Sequence, residues 1–227
     1  MRTWLPLASV LLCGFIAATA QTAATAATAV VADAAAAGVD GVPSDAAKVV
    51  PLPVGSKMPA TVVRNADGTE RHLGPGPLTR PTILIFYRGG WCPYCNRHLG
   101  ALKQVEPDLI KLGYDVLFLS ADRPELLYSS LKEPNIHYTL LSDASMNAAR
   151  AYRVAFRLDA DALAEYRRYG VDIEAASGQT HHELPVPAVF IIDRSGVIRF
   201  VHANPDYTTR ISPDALLDAA RSAAAGK

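Results

Sequence analysis

The chain is 227 residues long, 50% hydrophobic and formally neutral, with 22 basic and 22 acidic side chains. That length suits one domain with an appendage. With no basic stripe or Lys/Arg cluster, neither nucleic acid nor an anionic membrane surface is expected as a partner.

The N-terminus reads as a secretory signal over residues 1–20. Arg2 supplies the positive charge, Trp4 to Ile16 is almost wholly apolar, and Ala18-Thr19-Ala20 fits a small-residue cleavage site. The apolar run is too short to favour a spanning helix, and Leu12 is a poor fit for lipid anchoring at Cys13. The protein is therefore expected to be exported, periplasmic or secreted, without a stable membrane span once the signal and Cys13 are removed. Disulfides persist in such compartments. Residues 21–49 are Ala/Thr/Val-rich, lack an amphipathic stripe and read as a flexible linker.

Residues 50–224 form the expected domain. Thr61-Val62-Val63 and Thr69-Glu70-Arg71-His72 flank the turn signal Asn65-Ala66-Asp67-Gly68 and read as an N-terminal hairpin. Thr82–Tyr87 is a buried-type strand. Leu99, Leu102, Val105, Leu109 and Leu112 fall at helical spacing and predict a helix over 93–112, kinked at Pro107. A strand at 115–120, a helix near 124–132, a strand near 138–141 and a helix around 146–152 follow. Residues 154–182 stand outside this alternation, with a helix expected at 159–169 and loop at 170–179. They read as an insertion packed over one edge. Strands at 189–193 and 197–201 and a helix at 214–224 close the chain. The pattern predicts an α/β domain with a mixed central sheet flanked by helices.

Cys92 and Cys95 lie in Trp91-Cys92-Pro93-Tyr94-Cys95, between the strand 82–87 and the following helix. Cys92 falls at the N-cap, with Pro93 at the first helical position, which proline prefers. A sulfur there faces unpaired backbone N–H groups and the positive end of the helix dipole, and Cys-x-x-Cys thiols at such sites have lowered pKa values. Cys92 is thus the expected nucleophile and Cys95, one turn on, the resolving thiol. A purely structural bond closing so small a loop constrains little of the unfolded chain. Cys92, Cys95 and His98 make a single C-x-x-C-x-x-H knuckle, short of the four ligands structural zinc takes. A copper carrier, which would use the same thiolates, stays as the lesser alternative. Covalent haem attachment is excluded by Asn96 in the position that needs histidine.

Phe86-Tyr87-Arg88-Gly89-Gly90-Trp91-Cys92-Pro93-Tyr94-Cys95-Asn96 resembles the active-site segment of the AhpC/TSA (alkyl hydroperoxide reductase/thiol-specific antioxidant) peroxiredoxin-like family. Leu184 to Asp193, followed by Gly196 to Phe200, resembles the same group, so the likeness spans roughly residues 50–224. It implies a thioredoxin-like fold, antioxidant thiol oxidoreductase activity on peroxides or protein disulfides, a thioredoxin-like electron donor and no organic cofactor. It also implies that Val186-Pro187 is a cis-proline pair facing the dithiol. Two departures stand out. The family places a Thr three residues before its reactive cysteine, where this chain has Gly89, and its activating Arg falls near Pro187.

Those departures matter because a low pKa alone does not make a fast peroxidase. A fall from about 8.5 to about 5.5 raises the thiolate fraction at pH 7 roughly thirtyfold, but the accompanying loss of nucleophilicity is roughly twentyfold. Peroxide cleavage also needs donors for the leaving oxygen. Arg88 is a candidate substitute for the missing Arg, set against a plain solvent-facing or salt-bridged role. Trp91 and Tyr94 read equally as a rim for a partner or as packing, and His98 as a solvated side chain more than a proton shuttle. The His181-His182-Glu183 cluster reads as an approach to the dithiol or as loop. Asp122 and Asp143 read as turn or cap residues.

Overall fold

The computed structural model describes Met1, residues 41–129, Leu131 and residues 138–225. The expected signal segment and most of the linker lie outside the described residues. The chain divides after Gly41, and the domain described here starts at Val42. Val42 packs on the core, the Pro43 carbonyl accepts from the Arg157 N–H at 2.8 Å, and Asp45 caps a single 3-10 turn at Ala46–Lys48. Residues 42–49 were expected as linker; one apolar side chain and one backbone bond tie them to the domain instead.

Nine strands are described: β1 Thr61–Arg64, β2 Glu70–Leu73, β3 Thr82–Tyr87, β4 Asp115–Ser120, β5 Thr139–Ser142, β6 Ala155–Arg157, β7 Glu183–Pro185, β8 Ala188–Ile192 and β9 Ile198–Ala203. Seven form one sheet in the order β2-β1-β5-β4-β3-β8-β9. β3, β4 and β5 run parallel, and β8 pairs antiparallel with β3. The sheet is therefore mixed, as the alternation predicts, and the ends of the parallel strands share one edge.

β3 shows why the sheet is central. Its TILIFY run is buried throughout, as expected for a strand covered on both faces. Ile83, Ile85 and Tyr87 join one apolar cluster, and Leu84 and Phe86 join the other. Helices α1 Pro93–Leu102, α2 Glu106–Lys111 and α6 Pro213–Ala225 contribute Leu99, Leu102, Leu109, Leu216 and Leu217 to the first cluster. Helix α3 Asn147–Ala151 contributes Ala148 and Ala149 to the second.

The long helix expected over 93–112 is two helices, broken at 103–105, with Pro107 in the first turn of α2. Proline lacks the N–H and clashes with the preceding turn inside a helix, but is tolerated at its start. The helix expected near 124–132 shows one 3-10 turn, Pro124–Leu126, within its described part.

Residues 154–182 are more ordered than their sequence suggests. β6 pairs with β7 as a small second sheet, α4 spans Ala160–Arg168 with Asp159 as N-cap, and α5 spans Ile173–Ser177 with Asp172 as N-cap. The loop expected over 170–179 is thus partly helical. Glu183, fully buried, ties this segment to α3 by accepting from Arg150 at 2.8 Å and Arg157 at 2.9 Å. Among the described residues no peptide bond is cis, which corrects the cis reading of Pro187. No described helix is long and apolar enough to cross a membrane.

Candidate active site

The site lies where β3 ends and α1 begins. After Tyr87 the chain turns through Arg88-Gly89-Gly90-Trp91, and the Cys92 N–H bonds back to the Gly89 carbonyl at 3.1 Å. Cys92 is the N-cap of α1, with extended backbone and Pro93 in the first turn. Its carbonyl accepts from the Asn96 N–H at 3.0 Å, and the Asn96 amide bonds to the Gly90 and Cys92 carbonyls at 2.5 and 3.1 Å. Asn96, the residue that excludes haem attachment, therefore staples the active-site turn to the helix.

Both cysteines are free thiols, each 1% exposed. Their environments push them in opposite directions. Cys92 is lowered to about 6, first by the hydrogen bond from the Cys95 thiol and then, against burial, by Arg88, the Cys95 N–H and Arg210. The Cys95 N–H, in the first turn of α1, is the contribution of the helix end, and it ranks behind the Cys95 thiol and Arg88. Cys95 is raised well above a normal thiol, by burial first and then by Cys92. At neutral pH the pair is a thiolate at Cys92 held by a protonated Cys95.

Arg88 is buried, not solvent-facing. Its guanidinium lies 4.0 Å from the ring centre of Tyr207, 5.2 Å from Tyr166 and 5.3 Å from Trp91. Trp91 and Tyr166 meet edge-to-face at 5.7 Å, as do Tyr94 and Tyr207. Cation–π attraction, about 0.5–2 kcal/mol per contact, strengthens as water is excluded. Burial lowers the Arg88 pKa, while Cys92 and Cys95 are the leading charges opposing that shift. A buried cation is thus retained beside the pair by three rings and the Cys92 thiolate.

This arrangement accounts for Gly89. A Cβ at that position would meet the Trp91 indole, with Cε2 at 2.7 Å, and Asp122 Oδ1 at 2.8 Å. Real Cβ contacts are ordinarily 3.4–4 Å. The threonine expected from the family likeness has no room, because the indole occupies its space. Asp122 is buried beneath the turn, where its Oδ2 accepts from the Gly90 N–H at 2.7 Å and from Ser120 at 3.2 Å. Burial pushes its carboxyl up to about 6. Asp143 is the cap its position suggested, receiving the Ala148 and Ala149 N–H groups at 2.9 and 2.7 Å.

The remaining candidates divide. His98 is buried, its Nε2 has no hydrogen-bond partner among the described residues, and burial lowers it to about 4; the solvated reading is corrected because α1 turns this face onto the core. No group of three His, Cys, Asp or Glu residues among those described is placed to hold a metal ion, so the structure does not bring His98 together with the two sulfurs as a ligand set. His181 bonds to the Ala144 carbonyl and His182 to Glu174, which makes that cluster structural. Pro187 lines a small recess with His98, His202 and Arg210. Three site residues gave no sequence signal: Tyr166 in the insertion, and Tyr207 and Arg210 in the loop after β9. Arg210 Nη2 lies 3.5 Å from the Cys95 sulfur.

A mixed sheet carrying a Cys-x-x-Cys at a strand-to-helix turn, with Cys92 lowered and Cys95 raised, has the architecture of a thioredoxin-like fold. The family model described as the AhpC/TSA family matches residues 54–201. The chain belongs to that family and is a peroxiredoxin-like, thiol-dependent oxidoreductase. Peroxiredoxin Bcp of Escherichia coli is 26% identical over 133 residues, covering 51% of this chain and 85% of that protein. A relative in Haemophilus influenzae is 30% identical over 105 residues, 46% of this chain and 66% of that one. The crystal structure of peroxidoxin BcpB from Mycobacterium tuberculosis covers 77% of this chain and 97% of its own at a TM-score of 0.55 and 18% identity. A peroxiredoxin-like protein from Aquifex aeolicus gives a TM-score of 0.57 at 22% identity, covering 77% and 89%.

Proposed function

We propose that the protein is an exported thiol peroxidase that works through the Cys92/Cys95 dithiol. The Cys92 thiolate attacks a peroxide oxygen, the O–O bond breaks, and the departing oxygen takes a proton to leave as water or an alcohol. Cys92 is left as a sulfenic acid. The Cys95 sulfur then attacks Cys92, expelling the hydroxyl as water and closing an intramolecular disulfide. A reduced thioredoxin-like partner returns both thiols at the cost of its own oxidation.

The observation that carries this reading is Arg88, a buried cation packed among three rings beside a low-pKa thiolate. A fixed donor in a dry site is what a developing oxyanion needs, and the family likeness supplies peroxide as the substrate class. Stopped-flow mixing of reduced protein with stoichiometric hydrogen peroxide tests it. Thiol loss far faster than that of free cysteine is expected, and a rate no greater than free cysteine would remove the peroxidase.

Gly89 favours a second reading, thiol–disulfide exchange on oxidised proteins, because the indole-filled space leaves no threonine hydroxyl to assist peroxide cleavage. The same mixing experiment with an oxidised protein substrate separates the two. Export is part of the proposal on the strength of Trp4 to Ile16 and Ala18-Thr19-Ala20. N-terminal sequencing of protein recovered from outside the cytosol would show a start near Gln21.

A further inference from the structure

Resolution by Cys95 poses a chemical problem. A deeply buried thiol is a poor nucleophile, and Cys95 is held protonated by burial and by the neighbouring Cys92 charge. Something must stabilise its thiolate at the moment of attack.

Arg210 is placed to do so. It reaches the site from the loop after β9, and its Nη2 is 3.5 Å from the Cys95 sulfur. Nη1 donates to the Tyr207 and Thr209 carbonyls, which fixes the plane of the guanidinium. Its Nε is buried and has no hydrogen-bond partner among the described residues. Asp206, the carboxylate of the same loop, is exposed and spends its oxygens on Thr208 and Thr209. The two imidazoles beside Arg210, His98 and His202, are both lowered by burial and so stay neutral near pH 7. Arg210 attracts the Asp206 carboxylate through space, but no salt bridge joins them among the described residues, and Nη2 faces sulfur. The same loop sets Tyr207 over Arg88; Arg210 acts on both sulfurs, and on Cys92 it ranks behind Arg88.

We propose that Arg210 is a catalytic residue for disulfide closure, holding the Cys95 sulfur as a thiolate while it attacks oxidised Cys92. Oxidation itself triggers the step. In the reduced pair the Cys92 thiolate takes the Cys95 proton as a hydrogen bond and opposes a second negative charge. Once Cys92 is a neutral sulfenic acid that opposition is gone, and the pull of Arg210 acts on Cys95 alone. The Cys95 proton passes to the departing hydroxide, an S–S bond forms, the S–O bond breaks and one water leaves. Other ionisable groups acting on Cys95 are Arg88 through its backbone and, as near neighbours, Asp122 and Tyr87. Burial keeps the Tyr87 phenol protonated, whereas Asp122, raised only to about 6, is a carboxylate at neutral pH and opposes the charge that Arg210 favours on Cys95.

The inference rests on the dithiol reading above, and one experiment separates the two. Arg210→Met and Arg210→Lys are compared with the native chain in single turnovers with hydrogen peroxide, following sulfenic acid by dimedone capture and closure by loss of free thiol. Closure in Arg210→Met should slow about tenfold or more, the effect of one pKa unit on the thiolate population, and should need higher pH. The slowing should exceed any change in sulfenic acid formation, and Arg210→Lys should recover part of the rate. Closure at the native rate and pH in Arg210→Met would overturn the role of Arg210 alone. Absence of a Cys92–Cys95 disulfide in the native chain would overturn the dithiol reading beneath it.

Discussion

Replacing Gly89 by alanine asks whether the Trp91 indole, rather than chance, explains the residue at that position. The new methyl would sit 2.7 Å from Trp91 Cε2 and 2.8 Å from Asp122 Oδ1, each at least 0.6 Å inside the 3.4 Å edge of ordinary contact (3.4 less 2.8). Asp122 is held by the Gly90 N–H and Ser120, so the indole is the group that must yield. Moving it opens one wall around Arg88. Overpacking of this kind costs about 1–3 kcal/mol, which for a domain of this size lowers Tm by roughly 2–4 °C per kcal/mol. Calorimetry on Gly89→Ala, Trp91→Ala and the double variant forms a cycle, and the two losses should be less than additive because the second change removes what the first collides with. An unshifted Tm in Gly89→Ala, or full additivity in the double variant, would refute the packing account.

Three further outcomes follow from the same geometry. Alkylation of Cys92 should rise as pH climbs through about 6, and Arg88→Met should move that midpoint upward, since loss of a neighbouring cation disfavours the thiolate; an unmoved midpoint would separate Arg88 from the reactive sulfur. Tyr166→Ala should weaken Arg88 packing by about 0.5–2 kcal/mol and raise the same midpoint, although Tyr166 lies more than seventy residues from Cys92 by number; a change confined to stability would leave the insertion a purely structural part. Asp143 has a folded-state pKa raised to about 7 by burial, against about 3.9 unfolded, so the native state binds the proton more tightly. Its contribution is full below the unfolded value and is lost as pH rises through about 7. Denaturation of Asp143→Asn across that window should show a flatter pH dependence than the native chain, and an identical slope would count against it.

The parts of the fold that were legible in sequence are those with local causes. The buried run at β3, the Asp67-Gly68 turn between β1 and β2, and Pro93 after Cys92 each state their own structure. Pro107 reads in sequence as a kink because a continuous apolar period spans it; only the packing of two separate helices shows it as a helix start. The site was legible where it is contiguous, from Arg88 to Asn96. Tyr166, Tyr207 and Arg210 were not, since nothing in a tyrosine of an insertion or an arginine of a surface loop announces a partner distant in sequence. Gly89 carried a signal that only the structure could interpret. As a departure from the family pattern it suggested a missing hydroxyl, while in three dimensions it is the space an indole fills.

The central claim is that Cys92 and Cys95 are one working pair. Mass analysis of the reduced mature protein, lacking Cys13, after a single equivalent of hydrogen peroxide tests it most directly. The account predicts a monomer lighter by two hydrogens whose digest links Cys92 to Cys95, with neither thiol open to alkylation. A product in which Cys95 is still alkylated while Cys92 is oxidised, or linked to a second chain, would contradict it.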